Sequence, residues 1–173
     1  QGPFGLSNAT RGIAGGGTFG NTVDYITMAS TGTVATFGTL TPSNLGTYQS
    51  ACMTPTRGVY FQSLKPNPYA GSTFLGNITI ATTGNSTQFG DLSQERANIA
   101  CLSNSTRGIF IGGNDGSNSD NHIQYITIAT TGNTVDFGDA QQVVWNAMSV
   151  NSPTRQVSMG GLSPYTPYTN LSL

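Results

Sequence analysis

Charge is scarce in this 173-residue chain: 8% of its residues are Asp, Glu, Lys or Arg, roughly a third of the share usual in soluble proteins. Six basic and seven acidic residues leave a formal net charge of -1, and Lys65 is the single lysine. Such a surface offers no positive footprint to DNA, RNA or an anionic membrane, so nucleic acid is not expected as a partner. Histidine occurs once, at His122, and a Ser/His/Asp or Cys/His catalytic set would have to use that one loop position. Seven acids, several at repeated positions such as Asp91 with Asp139 and Asp24 with Asp136, do not read as the facing carboxylate pair of a glycosidase. No apolar run approaches the roughly 20 residues that cross a bilayer, so membrane insertion is not expected, and the first residues do not read as a basic-then-apolar leader. Cysteine is limited to Cys52, in Ala51-Cys52-Met53, and Cys101, in Ala100-Cys101-Leu102, with Ala147-Met148-Ser149 reading as the third counterpart. Equivalent positions of neighbouring repeats sit too far apart to bridge, so both read as small buried packing residues.

What the chain has instead is Gly, Thr, Ser and Asn, a composition suited to an all-β protein with many tight turns. It also has a cassette that recurs about every 50 residues. Thr10-Arg11-Gly12, Thr56-Arg57-Gly58, Thr106-Arg107-Gly108 and Thr154-Arg155-Gln156 open the units. The first three continue into Ile26-Thr27-Met28, Ile78-Thr79-Ile80 and Ile126-Thr127-Ile128, then a Thr-Gly or Ser-Thr-Gly turn, then Phe-Gly at Phe37, Phe89 and Phe137.

Within a unit, four strand-like runs are bounded by Gly, Asn, Pro and Ser. The third unit reads as Ala97 to Leu102, Arg107 to Gly113, Ile123 to Ala129 and Thr134 to Gly138, an antiparallel meander with turn residues at Thr131-Gly132-Asn133. Four-stranded sheets repeating at about 50 residues are what a β-propeller requires, each blade burying its faces against its neighbours. The glycine pairs Gly15-Gly16, Gly112-Gly113 and Gly160-Gly161, the tyrosines Tyr25 and Tyr125, and the aromatics Phe37, Phe89 and Phe137 resemble positions of kelch blades. The strings Thr-Arg-Gly-(Ile/Val), Tyr-Ile-Thr-Ile-Ala-Thr-Thr-Gly-Asn and Asp-Phe-Gly-Asp resemble, more narrowly, a kelch-like repeat family found in structural proteins of marine bacteriophages. The second unit departs from the pattern, with Gln62-Ser63 for the glycine pair and Asn77 for the tyrosine. The expectation is a single domain over 1–173: a partial blade over 1–42, blades over 46–92 and 97–140, and a partial blade over 143–173. Three, four, four and three strands make about three and a half blades, incomplete unless further blades or another copy join them. Gln1 as first residue reads as a processed terminus or a piece of a longer polypeptide.

The spacing between turn and Phe is fixed, while the second-to-third and fourth-to-first connections vary in length. In a meander those two connections project from one face, so that face is the diversified one, where recognition is usually placed. It would carry Phe19, Tyr48, Lys65, Tyr69, Phe74, Asp115, Asp120, His122, Trp145, Tyr165 and Tyr168, rings and amides suited to carbohydrate or protein surfaces. Asn114 to Asp120 alternates oxygen ligands but lacks the closing Glu of a Ca²⁺ loop and reads as a polar turn, so no metal or cofactor is expected. Arg11, Arg57, Arg107 and Arg155 read as structural, tying each blade to backbone carbonyls or to an acid such as Asp91 or Asp139. Sequons at Asn8, Asn77, Asn85, Asn104 and Asn170 are close to what this composition yields by chance. The resemblance implies a non-enzymatic virion protein of a tail, fibre or capsid surface, extracellular, in contact with other virion proteins or with a host-surface glycan or protein. The alternative is a secreted or cell-surface lectin or adhesin.

Overall fold

The structure, a computed structural model, describes residues 2–17, 20–43, 45–64, 71–115, 118–152, 154–163 and 166–167. They form an all-β chain. Strands β1 (Phe4–Ser7), β2 (Arg11–Gly15), β3 (Thr22–Thr27) and β4 (Ala35–Thr39) make the first antiparallel sheet in sequence order. Strands β5 (Leu45–Met53), β6 (Arg57–Leu64), β7 (Ser72–Thr79) and β8 (Thr87–Arg96) make the second. Strands β9 (Ala100–Ser103), β10 (Arg107–Ile111), β11 (His122–Thr127) and β12 (Val135–Asp139) make the third. Two-stranded pairings follow, β13 (Met148–Asn151) with β14 (Gln156–Met159) and β15 (Leu162–Ser163) with β16 (Thr166–Pro167). Each four-stranded sheet is blade-like.

The first unit holds four strands, not the three expected. Phe4-Gly5 reads as a stub, but Phe4–Ser7 pairs along its length with β2, Phe4 opposite Gly15 and Ser7 opposite Gly12. Four residues suffice because Phe4 and Leu6, two apart, bury on one face. The fourth-unit strand expected near 170–173 lies outside the described residues.

The Thr-Arg-Gly cassette is turn chemistry. Asn8, Thr54, Asn104 and Ser152 each donate their backbone N–H to the carbonyl of the arginine three residues on, at 2.8 to 3.0 Å. Their side-chain oxygens accept the return bond from the N–H of Arg11, Arg57, Arg107 and Arg155. These are Asx and hydroxyl turns, with a short polar side chain standing in for a backbone acceptor. The cassette threonine carbonyl then ties the turn to the far end of the third strand, at Met28, Ile80 and Ile128.

The sheets pack face to face. Phe4, Leu6, Ile13, Val23 and Phe37 of the first sheet meet Tyr60, Ile78 and Ile80 of the second. Cys52, Val59, Phe61, Leu75 and Phe89 of the second meet Ile99, Phe110, Ile126 and Ile128 of the third. A third cluster joins Leu102, Ile111 and Ile123 to Ala140 and Val144. Each sheet therefore has a trailing face toward the next sheet and a leading face toward the one before. The first strands line up, β1 beside β5, β5 beside β9 and β9 beside β13.

The Phe-Gly of the cassette locks these junctions. A Cβ on Gly38 would lie 2.1 Å from the Gly84 carbonyl oxygen, and one on Gly90 would lie 2.0 Å from that of Gly132. This close approach lets Gly84 and Gly132 donate to the carbonyls of Phe37 and Phe89, both at 2.9 Å.

Two alignments read from sequence shift by one residue. The left-handed pair in the first unit is Gly16-Gly17 (φ 79 and 99), matching Gly112-Gly113, while Gly15 lies within β2 against the Phe4 ring. In the second unit β6 simply runs on through Gln62 and Ser63, both buried. Cys52 and Cys101 are not equivalent either: Cys52 faces Val59, whereas Cys101 faces Phe110 and the counterpart of Cys52 is Leu102. Strand side chains alternate, so the one-residue slip puts the two thiols on opposite faces of their sheets. Both are free; the Cys52 sulfur occupies the space above Gly108, and Cys101 bonds Ser50 Oγ at 2.9 Å.

Candidate functional site

The sequence-predicted residues divide. Phe19, Lys65, Tyr69, Tyr165 and Tyr168 lie outside the described residues, and of Tyr48 only its place in β5 is described. Phe74 is not on a loop: it sits in β7, half-buried against the cluster between the first and second sheets. Its alternation with Leu75 in a strand explains the difference, since an aromatic beside Gly and Ser reads as loop until the pairing is known. Asp115 accepts the Asn118 N–H at 2.7 Å, a polar turn. Asp120 pairs with Arg96 and caps the loop, accepting from the N–H groups of Asn121 and His122. His122 reaches Asp139 at 3.4 Å and Asp136 at 3.7 Å. Trp145 is half-buried in the connection to β13. Asp120 and His122 thus come together beside the third sheet, but Asp120 is engaged by Arg96 of β8, and His122, which opens strand β11 rather than lying on a loop, is engaged by Asp136 and Asp139 of β12.

Two of the four repeat arginines bridge sheets. Arg11 donates to the Ile80 carbonyl at 3.0 Å, and Arg57 donates to those of Ile128 (3.2 Å) and Ala129 (3.0 Å). Backbone carbonyls, rather than the acids, take these bonds; Asp91 instead accepts from Thr73 and Gln88. Arg107 lies over the Tyr125 ring at 4.6 Å, and Arg11 over Tyr25 at 4.9 Å. Four of the sequon asparagines likewise serve as ties: Asn8 and Asn104 cap turns, Asn77 bonds Thr87, and Asn85 accepts from Thr39 of the neighbouring sheet.

A further candidate site lies away from these aromatics. Where the fourth-to-first connections meet the row of first strands, a recess of about 480 Å³ opens between Ser50, Asn98, Cys101, Asn146 and Ser149, floored by Phe61 and Ile99. Asn98 and Asn146 stand at the same place in successive connections, both left-handed at φ 58 and 57. Asn tolerates this conformation better than other side chains. The Asn146 N–H donates to the Asn98 carbonyl at 3.0 Å, stitching one connection to the next. Asn98 is 4% exposed, yet neither its amide nitrogen nor its amide oxygen has a partner in the protein; Ser149 Oγ is likewise buried and unpaired. Leaving such groups unsatisfied costs about 1–3 kcal/mol each, so a polar partner, an ordered water or a ligand group, is expected against them.

Burial pushes the Cys101 thiol up to about 12, against the lowering effect of the Ser50 bond. The thiol is therefore protonated at neutral pH. None of the side chains lining the recess carries a charge. An amide offering donor and acceptor together, beside hydroxyls and an aromatic, suits a neutral hydroxylated ligand and offers no base or activated nucleophile. Asn98 was legible in principle, because shifting one unit onto the next sets it over Asn146, but its unpaired amide appears only once the strands pack.

No protein-family model matches this sequence, and no curated protein matches it. Among 119 matching chains of solved structure, one described as the structure of YjhT aligns over 93% of this chain with a TM-score of 0.78 and 9% identity. The present chain spans 58% of that protein's length. At that identity the likeness shows the fold alone: an all-β chain of successive four-stranded antiparallel sheets.

Proposed function

We propose that this chain is a non-enzymatic binding scaffold, a kelch-like β-propeller segment of a bacteriophage virion protein in a tail, fibre or capsid surface, assembled with other virion proteins and contacting a host-surface glycan. The unpaired, buried Asn98 amide in a neutral recess carries the reading, since hydroxyl groups of a sugar satisfy a donor and an acceptor at once. The repeat strings that resemble phage structural proteins support the virion setting. A secreted or cell-surface lectin would use the same recess, and detection of the chain in purified particles separates the two. The test of binding is a glycan array followed by titration of Asn98→Gly, which keeps the left-handed backbone and removes the amide. Retention of a glycan by the native chain and its loss in the variant are expected; failure of the native chain to retain any glycan, or equal retention by Asn98→Gly, overturns the proposal.

A further inference from the structure

Two junctions inside this chain use the same knob and hole. In each, the cassette glycine of the second strand leaves a hole on a sheet's leading face, and a first-strand side chain of the preceding sheet fills it. Leu6 fills the hole at Gly58: a Cβ there would lie 2.2 Å from its terminal carbon. Cys52 fills the hole at Gly108, its sulfur 2.4 Å from the corresponding position. At Gly12 no knob from another sheet takes that place. The three atoms nearest a Cβ there, at 3.2 to 3.6 Å, belong to Ile26 and Met28 of its own sheet. The place opens into a cavity of about 460 Å³ lined by Gly12, Tyr25, Ile26, Val34 and Met53.

The matching knob is also free. Leu6 pairs opposite Ile13, Cys52 opposite Val59 and Val150 opposite Val157, so Val150 holds the knob position in β13. Leu6 and Cys52 are 5% and 2% exposed, whereas Val150 is 54% exposed. Exposure follows the same division elsewhere. Ile26 and Met28 are 43% and 55% exposed, while their counterparts Ile78 and Ile80 in the second sheet are 2% and 0% exposed. All the exposed large hydrophobics among the described residues fall on the first sheet's leading side or on the third and fourth units. Scattered single apolar residues need no explanation, but paired, complementary apolar faces mark an interface.

We propose that a second copy of this chain occupies the first sheet's leading face, its Val150 entering the hole at Gly12. The contact continues, between copies, the junction already formed twice within one. The same register brings the second copy's Arg155 to the Met28 carbonyl, the place of the Arg11 to Ile80 and Arg57 to Ile128 bonds. Knob and hole lie at opposite ends of the array, so the association is head to tail, and a two-fold pair forms two identical junctions.

The test is the native mass of the purified 173-residue chain by light scattering and sedimentation, beside Val150→Asp and Gly12→Leu. The native chain is expected to associate, and each variant to weaken association about tenfold or more, because one puts a charge into the apolar hole and the other fills it. Mixing the two variants is expected to restore association through one of the two junctions, since the Val150→Asp copy keeps its hole and the Gly12→Leu copy keeps its knob, while the other junction stays broken. Circular dichroism and melting of each variant alone, matching the native monomer, show that folding is retained. A native chain that stays single at high micromolar concentration overturns the proposal, leaving further units of a longer chain as the occupant. So does association that both folded variants leave intact.

Discussion

At Arg57 the guanidinium leaves its own sheet and donates to two carbonyls of the third, while Arg107, in the same place one unit later, is exposed and stacks on Tyr125. The two should therefore differ in worth. Arg57→Ala is expected to cost about 1–3 kcal/mol by leaving two carbonyls of a packed junction without their donor. Arg107→Ala should cost less, and urea unfolding of the pair measures the difference. The thiols make a second prediction. Burial, the larger cause in each, raises Cys52 and Cys101 above the ordinary 9.0, Cys101 to about 12. A group that holds its proton more tightly when folded contributes stability that is full below its unfolded pKa and is lost as pH rises through the folded one. Stability should be level up to about pH 9.0 and fall toward about 12, and Cys101→Ser should flatten part of that fall in denaturant titrations across this range. Burial acts in the same direction on Tyr60, whose hydroxyl donates to the Thr41 carbonyl at 3.0 Å.

Elements are joined here by approach of backbone to backbone, which sets the cost of a single methyl. Gly90→Ala would place its Cβ against the Gly132 carbonyl, and neither backbone can yield without opening the junction. A loss of about 1–3 kcal/mol or more is expected. Gly84→Ala serves as the control, since a Cβ there meets nothing within 4 Å and its backbone is not left-handed. Its effect should stay within about 0.5 kcal/mol in the same thermal unfolding measurement. The cassette was legible as a repeat because the turns, which recur in all four units, need short polar side chains, and the close approach at Gly38 and Gly90 needs glycine. The register was not. Assigning Cys52 and Cys101 to one position, or the glycine pair to Gly15-Gly16, is a one-residue error, and only the ladder of hydrogen bonds corrects it.

For the whole molecule, each sheet meets only the sheets beside it in the three core clusters, so perturbations should travel one junction and fade. Phe110→Ala opens a cavity between the second and third sheets. It should raise hydrogen exchange in β6, β7, β10 and β11 while leaving β1 and β2 at native protection, as mass spectrometry of peptic fragments would show. Equal loss of protection in the first sheet would mean the array unfolds as one unit.

Composition and spacing alone settled that the chain is all-β, that its units are four-strand meanders and that their connections vary at one end. Those properties follow from local demands of turn geometry, strand alternation and glycine clearance, each readable within a few residues. Tertiary structure decided which side chains are spent on packing and which are left over. Phe74 went into the core and Asp120 into a pair with Arg96, because Arg96 lies 24 residues from Asp120 and the first-sheet partners of Phe74 lie in another sheet. Asn98 became a candidate ligand contact, and Val150 a free knob, for the converse reason: what surrounds a side chain after the sheets pack is set by neighbours a whole repeat away, which no window of sequence contains.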